Sequence, residues 1–485
     1  MLTRDLIYLA ESIQKHKAET QFLEVKAAHV NCPQRLYDSL SSFSNQDLGG
    51  AIIFGLDEKN GFAAIGVYDI QDLQKKVTEQ CKQMKPQVRA TFTIAQYKDV
   101  YICSAEIPGI DAIEKPCYYI ALGKSKGSFI RVGEADLPMT DYEIYNYDSY
   151  RKHTHDDERT VERATFDMME QNLIDLYVAK KKMNRPMFSK LTDDKIYEML
   201  NITRNGIPTL SSVLNFSIFP QGFFPQFAVT AIIVPGYEIG DTGYNQERFI
   251  DNKRIEGTIS DMLNEAMAFC IRNIKVRITI DGNGKRLDRT EYPINAIREI
   301  ILNALIHRDY GIYTEGTPIQ INFFIDRLEI HSPGNLYGKM TIDQLGKSKP
   351  DLRNPTLATM MEVLIETENR YSGIPTIIKA MEEARLPPPK FENRRNEFVV
   401  TLYNGTQREY GIAEEGVDYI SISERSLLKF CCIPRSRKEI AAYLGVSTIF
   451  YVTKNYINPL VENGKLALTI PDKPKSTLQK YYTKL

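Results

Sequence analysis

Three side chains near the middle of the chain have the types and spacing for chemistry: Glu299, Asn303 and His307 follow one another at intervals of four. On a helix that spacing stacks them in one row, a turn apart. A carboxylate, an amide and an imidazole in a row suit nucleotide chemistry. The amide oxygen of Asn303 can fill one position of an octahedral Mg²⁺ whose other ligands are phosphates and waters, and Glu299 can act as general base toward an attacking water. The same spacing is common on solvated helix edges, so spacing alone leaves both readings open.

The element that must position the row is Pro293 to Tyr310, PINAIREIILNALIHRDY. Ile297, Ile301, Ala304 and Leu305 recur at helical spacing and give it a core-facing stripe, while proline suits its first turn. Upstream, Gly257 to Arg272 reads as an amphipathic helix. The strands Lys275 to Ile280 and Lys285 to Tyr292 then deliver the chain to the row. Downstream, Pro318 to Ile325 and Arg327 to His331 read as antiparallel strands, Ile374 to Arg385 as a helix, and Glu397 to Tyr403 as a closing strand.

The run EIILNALIHRDY resembles the N-box of divergent GHKL-type (gyrase, histidine kinase, MutL) ATP-binding domains, found in transcriptional regulators often labelled RecG-like. DRLEIHSPGNLYG, LRNPTLA, ENRYSGIPTIIKAM and LPPPKFE follow in the family's order. The resemblance implies an α/β sandwich that takes ATP and Mg²⁺, with hydrolysis slow or absent. It makes Asn303, His307, Ser332, Gly334, Arg353, Asn354, Ser372 and Gly373 candidate cofactor contacts. The chain departs from the family at His331 to Asn335, where the aspartate that accepts from the adenine amino group is absent. Ser332 is the nearest substitute, through its hydroxyl or a water. A single glycine, Gly373, stands where phosphate-cradling loops use several, though it precedes a helix whose N-terminus can face phosphate. Asn354-Pro355 reads equally as a helix-starting turn.

At the N-terminus, Glu19, Glu24 and Lys26 precede a core of Phe43, Asn45, Gly49, Gly50, Gly55, Asp57 and Glu58. This pattern resembles the Schlafen-type AlbA domain, an α+β fold whose wider family binds nucleic acid and in part cuts RNA with three acidic residues. Glu19, Glu24, Lys26 and Glu58 are therefore candidate nucleic-acid contacts. Converging carboxylates at Glu19, Glu24 and Glu58 would permit metal-dependent cleavage. The alternative is a set of solvated acids, with Lys26 neutralising Glu24. Tyr118 to Val132 reads as a hairpin with a Gly-Lys-Ser-Lys-Gly tip, and Asp141 to Arg159 as a polar linker.

The tail carries its own signal. From Arg425 to Leu485 there are eleven Lys or Arg against three Asp or Glu, although the whole chain has 61 against 62. Arg425 to Cys432, Ser436 to Tyr443 and Ser447 to Asn463 read as three helices, Lys465 to Ile470 as a strand and PDKPKS as a basic wing. That is the pattern of a winged helix-turn-helix. Thr448, Tyr451, Lys454 and Asn455 would meet bases, and Lys473 and Lys475 phosphates.

The 485 residues thus divide into an α+β multidomain chain: 1–145 AlbA-like, 157–404 a helical lead-in with the GHKL-like sandwich, and 417–485 the winged helix. Seven scattered cysteines without CxxC spacing point to reduced thiols, and no apolar run is long enough to span a bilayer. A cytoplasmic protein is expected. The leading expectation for function is a nucleotide-responsive DNA-binding transcriptional regulator, dimeric by family habit, with RNA as a further partner at the N-terminal domain. The alternative is an enzyme, either an ATPase or a Schlafen-like nuclease.

Overall fold

The computed structural model describes residues 1–280, 286–365 and 373–405, together with 427, 431, 434–443, 453, 457–463, 465–470 and 479–483. The chain forms two compact units, Met1–Asn404 and Gly405–Leu485.

The first unit opens with α1 (Thr3–His16), whose Leu6, Ala10 and Ile13 form its buried stripe. There follow β1 (Leu23–Lys26), α2 (Tyr37–Asn45), β2 (Gly50–Phe54), α3 (Ile70–Lys82), β3 (Thr91–Tyr97) and β4 (Val100–Ile107). The strands lie in the order β1-β2-β4-β3, with only β1 and β2 parallel. Cores form on both faces of this sheet. Leu40, Phe43, Leu73 and Val77 pack on one, and Leu6, Ala10 and Ile13 on the other. Gly49 sits at φ +69°, and a Cβ there would fall 2.1 Å from the Ile107 carbonyl, so the turn into β2 requires glycine.

Beyond this sheet the chain departs from expectation twice. The Gly-Lys-Ser-Lys-Gly stretch is a helical turn, α4 (Gly123–Gly127), and the hairpin lies after it in β5 (Phe129–Val132) and β6 (Ala135–Pro138). The stretch 141–159 is no linker. It contains α5 (Asp141–Lys152), started by a capping box between Thr140 and Glu143. Lys124 of α4 is tied to Asp148 of α5 at 2.8 Å, which fixes the turn against the helix. The polar composition of α5 misleads because two of its tyrosines, Tyr142 and Tyr150, donate to Asp309 and Asp351, far along the chain.

The lead-in comprises α6 (Gln171–Asn184), α7 (Asp193–Met199) and α8 (Leu210–Phe216), the last buried throughout. Ahead of α6 the backbone makes isolated bridges from Thr160 to Thr209 and from Met169 to Ser217. The sandwich is built from β7 (Val229–Ile233), β8 (Asp251–Ile255), α9 (Ile259–Asn273), β9 (Val276–Ile280), β10 (Arg286–Thr290), α10 (Ile294–His307), β11 (Ile319–Phe323) and β12 (Arg327–Pro333). It is completed by α11 (Pro355–Leu364), α12 (Gly373–Glu383), β13 (Lys390–Arg394) and β14 (Glu397–Tyr403). Six strands form one mixed sheet in the order β8-β7-β11-β12-β14-β13, with only β7 and β11 parallel. α9 packs on β7 and β8, and α10 packs on β12 between α9 and α12. The result is a multidomain α+β architecture with mixed sheets.

In the second unit, Arg435–Ser436, Lys480–Thr483 and Leu466–Leu468 form a three-stranded antiparallel sheet in that order. The helices Arg437–Tyr443 and Asn458–Glu462 accompany it around a core that includes Leu427, Ile440, Leu460 and Tyr481. Ser436 and Glu439 exchange side-chain to backbone bonds of 2.8 and 3.3 Å, a capping box at the start of the first. Thr448, Tyr451, Lys454, Asn455, Lys473 and Lys475 lie outside the described residues.

Candidate nucleotide site

α10 is buried on most of its circumference: Ala296, Ile297, Ile300, Ile301, Leu302, Ala304, Leu305 and Ile306 all enter the core. The row left over is the one carrying Glu299, Asn303 and His307. Beside it opens a cavity of about 540 Å³, within the range of pockets that take nucleotide-sized ligands. Asn303, His307, Ser332, Gly334, Arg353 and Gly373 line it. Ile300, Ile330 and Val400 give it an apolar side, while Lys349, Asp351 and Glu362 supply charge.

The row itself is uneven. His307 is open to the cavity although protein surrounds the cavity beyond it. That enclosure, and then the positive Arg353, push its imidazole down to about 4, so the ring is neutral near pH 7 and both of its nitrogens offer hydrogen bonding without charge. Glu299 is not part of the lining. Its side chain is 17 % exposed and burial raises its carboxyl, opposed by Arg298 at 4.0 Å. Gly373 sits over both neighbours: a Cβ there would lie 3.0 Å from Asn303 Nδ2 and 3.1 Å from Glu299 Oε2. Glycine at the start of α12 thus leaves the pair room.

Other candidates have structural duties. The Ser332 hydroxyl donates to the Ala304 carbonyl at 3.2 Å, which leaves only its lone pairs for a base. Gly334 has φ +107°, and a Cβ would stand 2.5 Å from that of Asp309, so its glycine is a packing requirement. Asn354 is 1 % exposed and its Nδ2 donates to the Ile306 and Arg308 carbonyls at 2.8 and 2.7 Å. It therefore closes the C-terminal end of α10 rather than reaching phosphate. Arg353 lines the cavity but is held, with Nη1 bound to Asp309 Oδ2 at 2.7 Å and Nη2 to the Asn335 carbonyl at 3.0 Å. Ser372 lies outside the described residues.

Sequence reasoning missed one cavity segment, Gly346, Ser348, Lys349 and Pro350. Its Gly-Lys-Ser-Lys run was the available signal: a glycine beside cationic and hydroxyl side chains suits phosphate. As a fit test for a triphosphate and its metal, the site offers the amide of Asn303 on the wall and the Lys349 ammonium group among the lining residues. The residue types fit such a group: Asn303 would hold the metal and Lys349 would meet phosphate.

The acidic candidates of the N-terminal domain converge on a protein cation. Arg131, with 1 % of its side chain exposed, meets Glu24 at 2.6 Å, Asp136 at 3.1 Å and Glu19 at 3.2 Å. Lys26 also pairs with Glu24. Burial, then the neighbouring Glu24, pushes Glu19 up to about 7. Glu58 is exposed on a separate turn. Among the described residues no three His, Cys, Asp or Glu stand together as a metal set, so the expected convergence of Glu19, Glu24 and Glu58 on a metal is not the observed arrangement.

Three segments match protein families. Residues 19–140 match "Schlafen, AlbA_2", 316–402 match "Putative ATP-dependent DNA helicase recG C-terminal", and 425–483 match "Filamentation induced by cAMP protein Fic-like, C-terminal domain". No curated protein matches the chain. Among solved structures it is similar to the DIP2311 protein from Corynebacterium diphtheriae, 20 % identical over 83 % of this chain and 80 % of that one, with a TM-score of 0.40. It is also similar to the N-terminal domain of a protein from Nitrosomonas europaea titled "Putative ATP-dependent DNA Helicase RecG-related Protein", 20 % identical over 29 % of this chain and 94 % of that one, with a TM-score of 0.23. Among the described residues no helix is long and apolar enough to cross a membrane.

Proposed function

The chain joins a Schlafen AlbA_2 segment, a RecG-related ATPase-type segment and a Fic-like C-terminal segment, and we propose that it is a nucleotide-responsive nucleic-acid-binding regulator. The observation that carries this reading is the cavity beside α10, lined by Asn303 and His307 together with Gly346, Ser348, Lys349 and Pro350. ATP is the ligand favoured by the match over 316–402. In this reading Asn303 ligates Mg²⁺, which would neutralise phosphate charge when bound. Lys349 meets phosphate and His307 donates or accepts as a neutral ring. Ile300, Ile330 and Val400 cover the base, and the Ser332 oxygen accepts from its amino group. Glu299 orients water one turn from Asn303, behind Gly373, so binding dominates over turnover.

The output is the second unit, read as a winged helix on duplex DNA. Its eleven cationic against three acidic side chains from Arg425 onward favour that reading, as does the capping box at Ser436. A homodimer suits a two-fold operator. Titration of the full chain with a fluorescent ATP analogue, with and without Mg²⁺, tests the input. Asn303→Ala should abolish the Mg²⁺ dependence. Duplex binding should fall steeply with salt and be lost when 425–485 are removed. A truncated chain that binds duplex unchanged would remove the output from the account. The nuclease alternative has no favouring observation, since Glu19 and Glu24 are held by Arg131.

A further inference from the structure

We propose that one face of α5, carrying Tyr142, Asn146 and Tyr150, positions the wall of the nucleotide cavity and couples ligand binding to the docking of α5 itself. This rests on the nucleotide reading of the cavity and adds to it a partner within the chain. The residues are spaced by four, so they stack along one side of the helix.

Each reaches a different point of one wall. The Tyr150 hydroxyl donates to Asp351 Oδ2 at 2.9 Å, and its ring meets that of Tyr337 edge-on with centroids 5.4 Å apart. Asn146 Oδ1 accepts from Arg353 Nη1 at 3.0 Å. The Tyr142 hydroxyl donates at 2.8 Å to Asp309 Oδ2, the oxygen that also accepts from Arg353 Nη1. Tyr337, Asp351 and Arg353 all line the cavity. Just beyond α5, His155 Nδ1 lies 3.0 Å from the Arg353 carbonyl.

The wall needs such support. From Leu336 to Asn354 the chain has no strand or α-helix and only one 3-10 turn, Ile342–Gln344, so no ladder fixes its distance from α10. The wall stands where its outside contacts hold it. Arg353 is the joint. Its guanidinium lies over the Tyr337 ring at 4.9 Å, and its Nε is buried with no hydrogen-bond partner among the described residues. That unmet donor belongs to a cavity-lining cation whose other nitrogens are already oriented by Asn146 and Asp309. α5 thus fixes the stretch of wall that Arg353 anchors, and a ligand bound against that wall tightens the docking of α5 in return, because coupling between two sites is reciprocal.

The test uses the full chain, a fluorescent ATP analogue with Mg²⁺, and hydrogen exchange over 141–152. Asn146→Ala should raise Kd roughly tenfold, a typical coupling, and Asn146→Asp, which keeps an acceptor for Arg353, should restore it. Tyr150→Phe should raise Kd by a smaller factor. Nucleotide should slow exchange over 141–152 in the wild type and less in Asn146→Ala, a response that mere loss of stability would not produce. Binding within twofold of wild type in both Asn146→Ala and Tyr150→Phe, with exchange in α5 indifferent to nucleotide, would overturn the coupling while leaving the cavity's function intact. A wild type that binds no nucleotide would overturn the nucleotide reading itself.

Discussion

Asp309 is the buried hinge of the first unit, and its removal gives the sharpest energetic prediction. The residue is 0 % exposed. One carboxylate oxygen accepts from Tyr142 of α5 at 2.8 Å and from Arg353 at 2.7 Å, and the other accepts from the Gly311 amide at 2.8 Å. In Asp309→Ala the Arg353 guanidinium stays buried with only neutral acceptors, at Asn146 and Asn335, and the Tyr142 hydroxyl loses its partner. Breaking a buried pair by removing one member costs about 3 to 5 kcal/mol. Tyr142→Phe removes a hydroxyl bond to a charged group and should cost about 1.5 to 3 kcal/mol. A chain of several domains does not unfold as two states, so a shift in melting midpoint gives a direction but does not convert to this free energy. Hydrogen exchange reports the opening locally. Amides of 141–152 and 305–311 should exchange roughly a hundred- to a few thousand-fold faster in Asp309→Ala, at about tenfold per 1.4 kcal/mol. The double variant should lose less than the sum, because both changes act on one oxygen. An effect below about 1 kcal/mol, or full additivity, would refute the idea that this carboxylate holds α5 to the sandwich.

Three further outcomes are expected from the geometry. Burial alone would lower His331, but its bonds to Glu329 and Glu397 outweigh that and lift it from 6.5 to about 9. A raised folded-state pKa stabilises fully below the unfolded value and loses its effect as pH rises through 9, so His331→Gln should lower the melting temperature at pH 6 and leave it unchanged at pH 10. Equal loss at both would contradict the assignment. Arg131→Met leaves Glu19, Glu24 and Asp136 gathered with only Lys26, on Glu24, to offset them and should destabilise the N-terminal domain by about 3 to 5 kcal/mol, read by denaturation at pH 8. A neutral outcome would mean that the cluster is solvated. Gly373→Ala places a methyl 3.0 Å from Asn303 Nδ2 and 3.1 Å from Glu299 Oε2, and should weaken ATP binding with little change in melting temperature. Unaltered affinity would detach α12 from the site.

What the sequence disclosed and what it hid have physical causes. The elements around α10 were legible because their apolar residues repeat at clean helical or alternating periods: the hairpin β9 and β10, the strands β11 and β12, and the helix α12 were all read close to their observed bounds. α5 was not. A run such as YEIYNYDSYRKHTHDDER has few aliphatic residues, and its burial depends on hydroxyls and carboxylates finding partners more than 150 residues away, as Tyr142 does in Asp309. No local pattern encodes that. Asn354 and Gly334 illustrate the opposite error. Their types suit phosphate binding, yet one closes a helix end and the other avoids a clash with Asp309. The glutamates at 19 and 24 fit the acidic positions of the Schlafen-type pattern, but Arg131, more than 100 residues on, decides what they hold.

The central claim is that the cavity beside α10 takes a nucleotide through Asn303. The most direct measurement is calorimetric titration of the full chain with ATP, in Mg²⁺ and in EDTA, repeated on Asn303→Ala. Saturable one-site binding that strengthens with Mg²⁺ in the wild type, and loses that dependence in the variant, is the predicted result. Absence of heat in the wild type, or identical Mg²⁺-dependent isotherms for the two proteins, would contradict it.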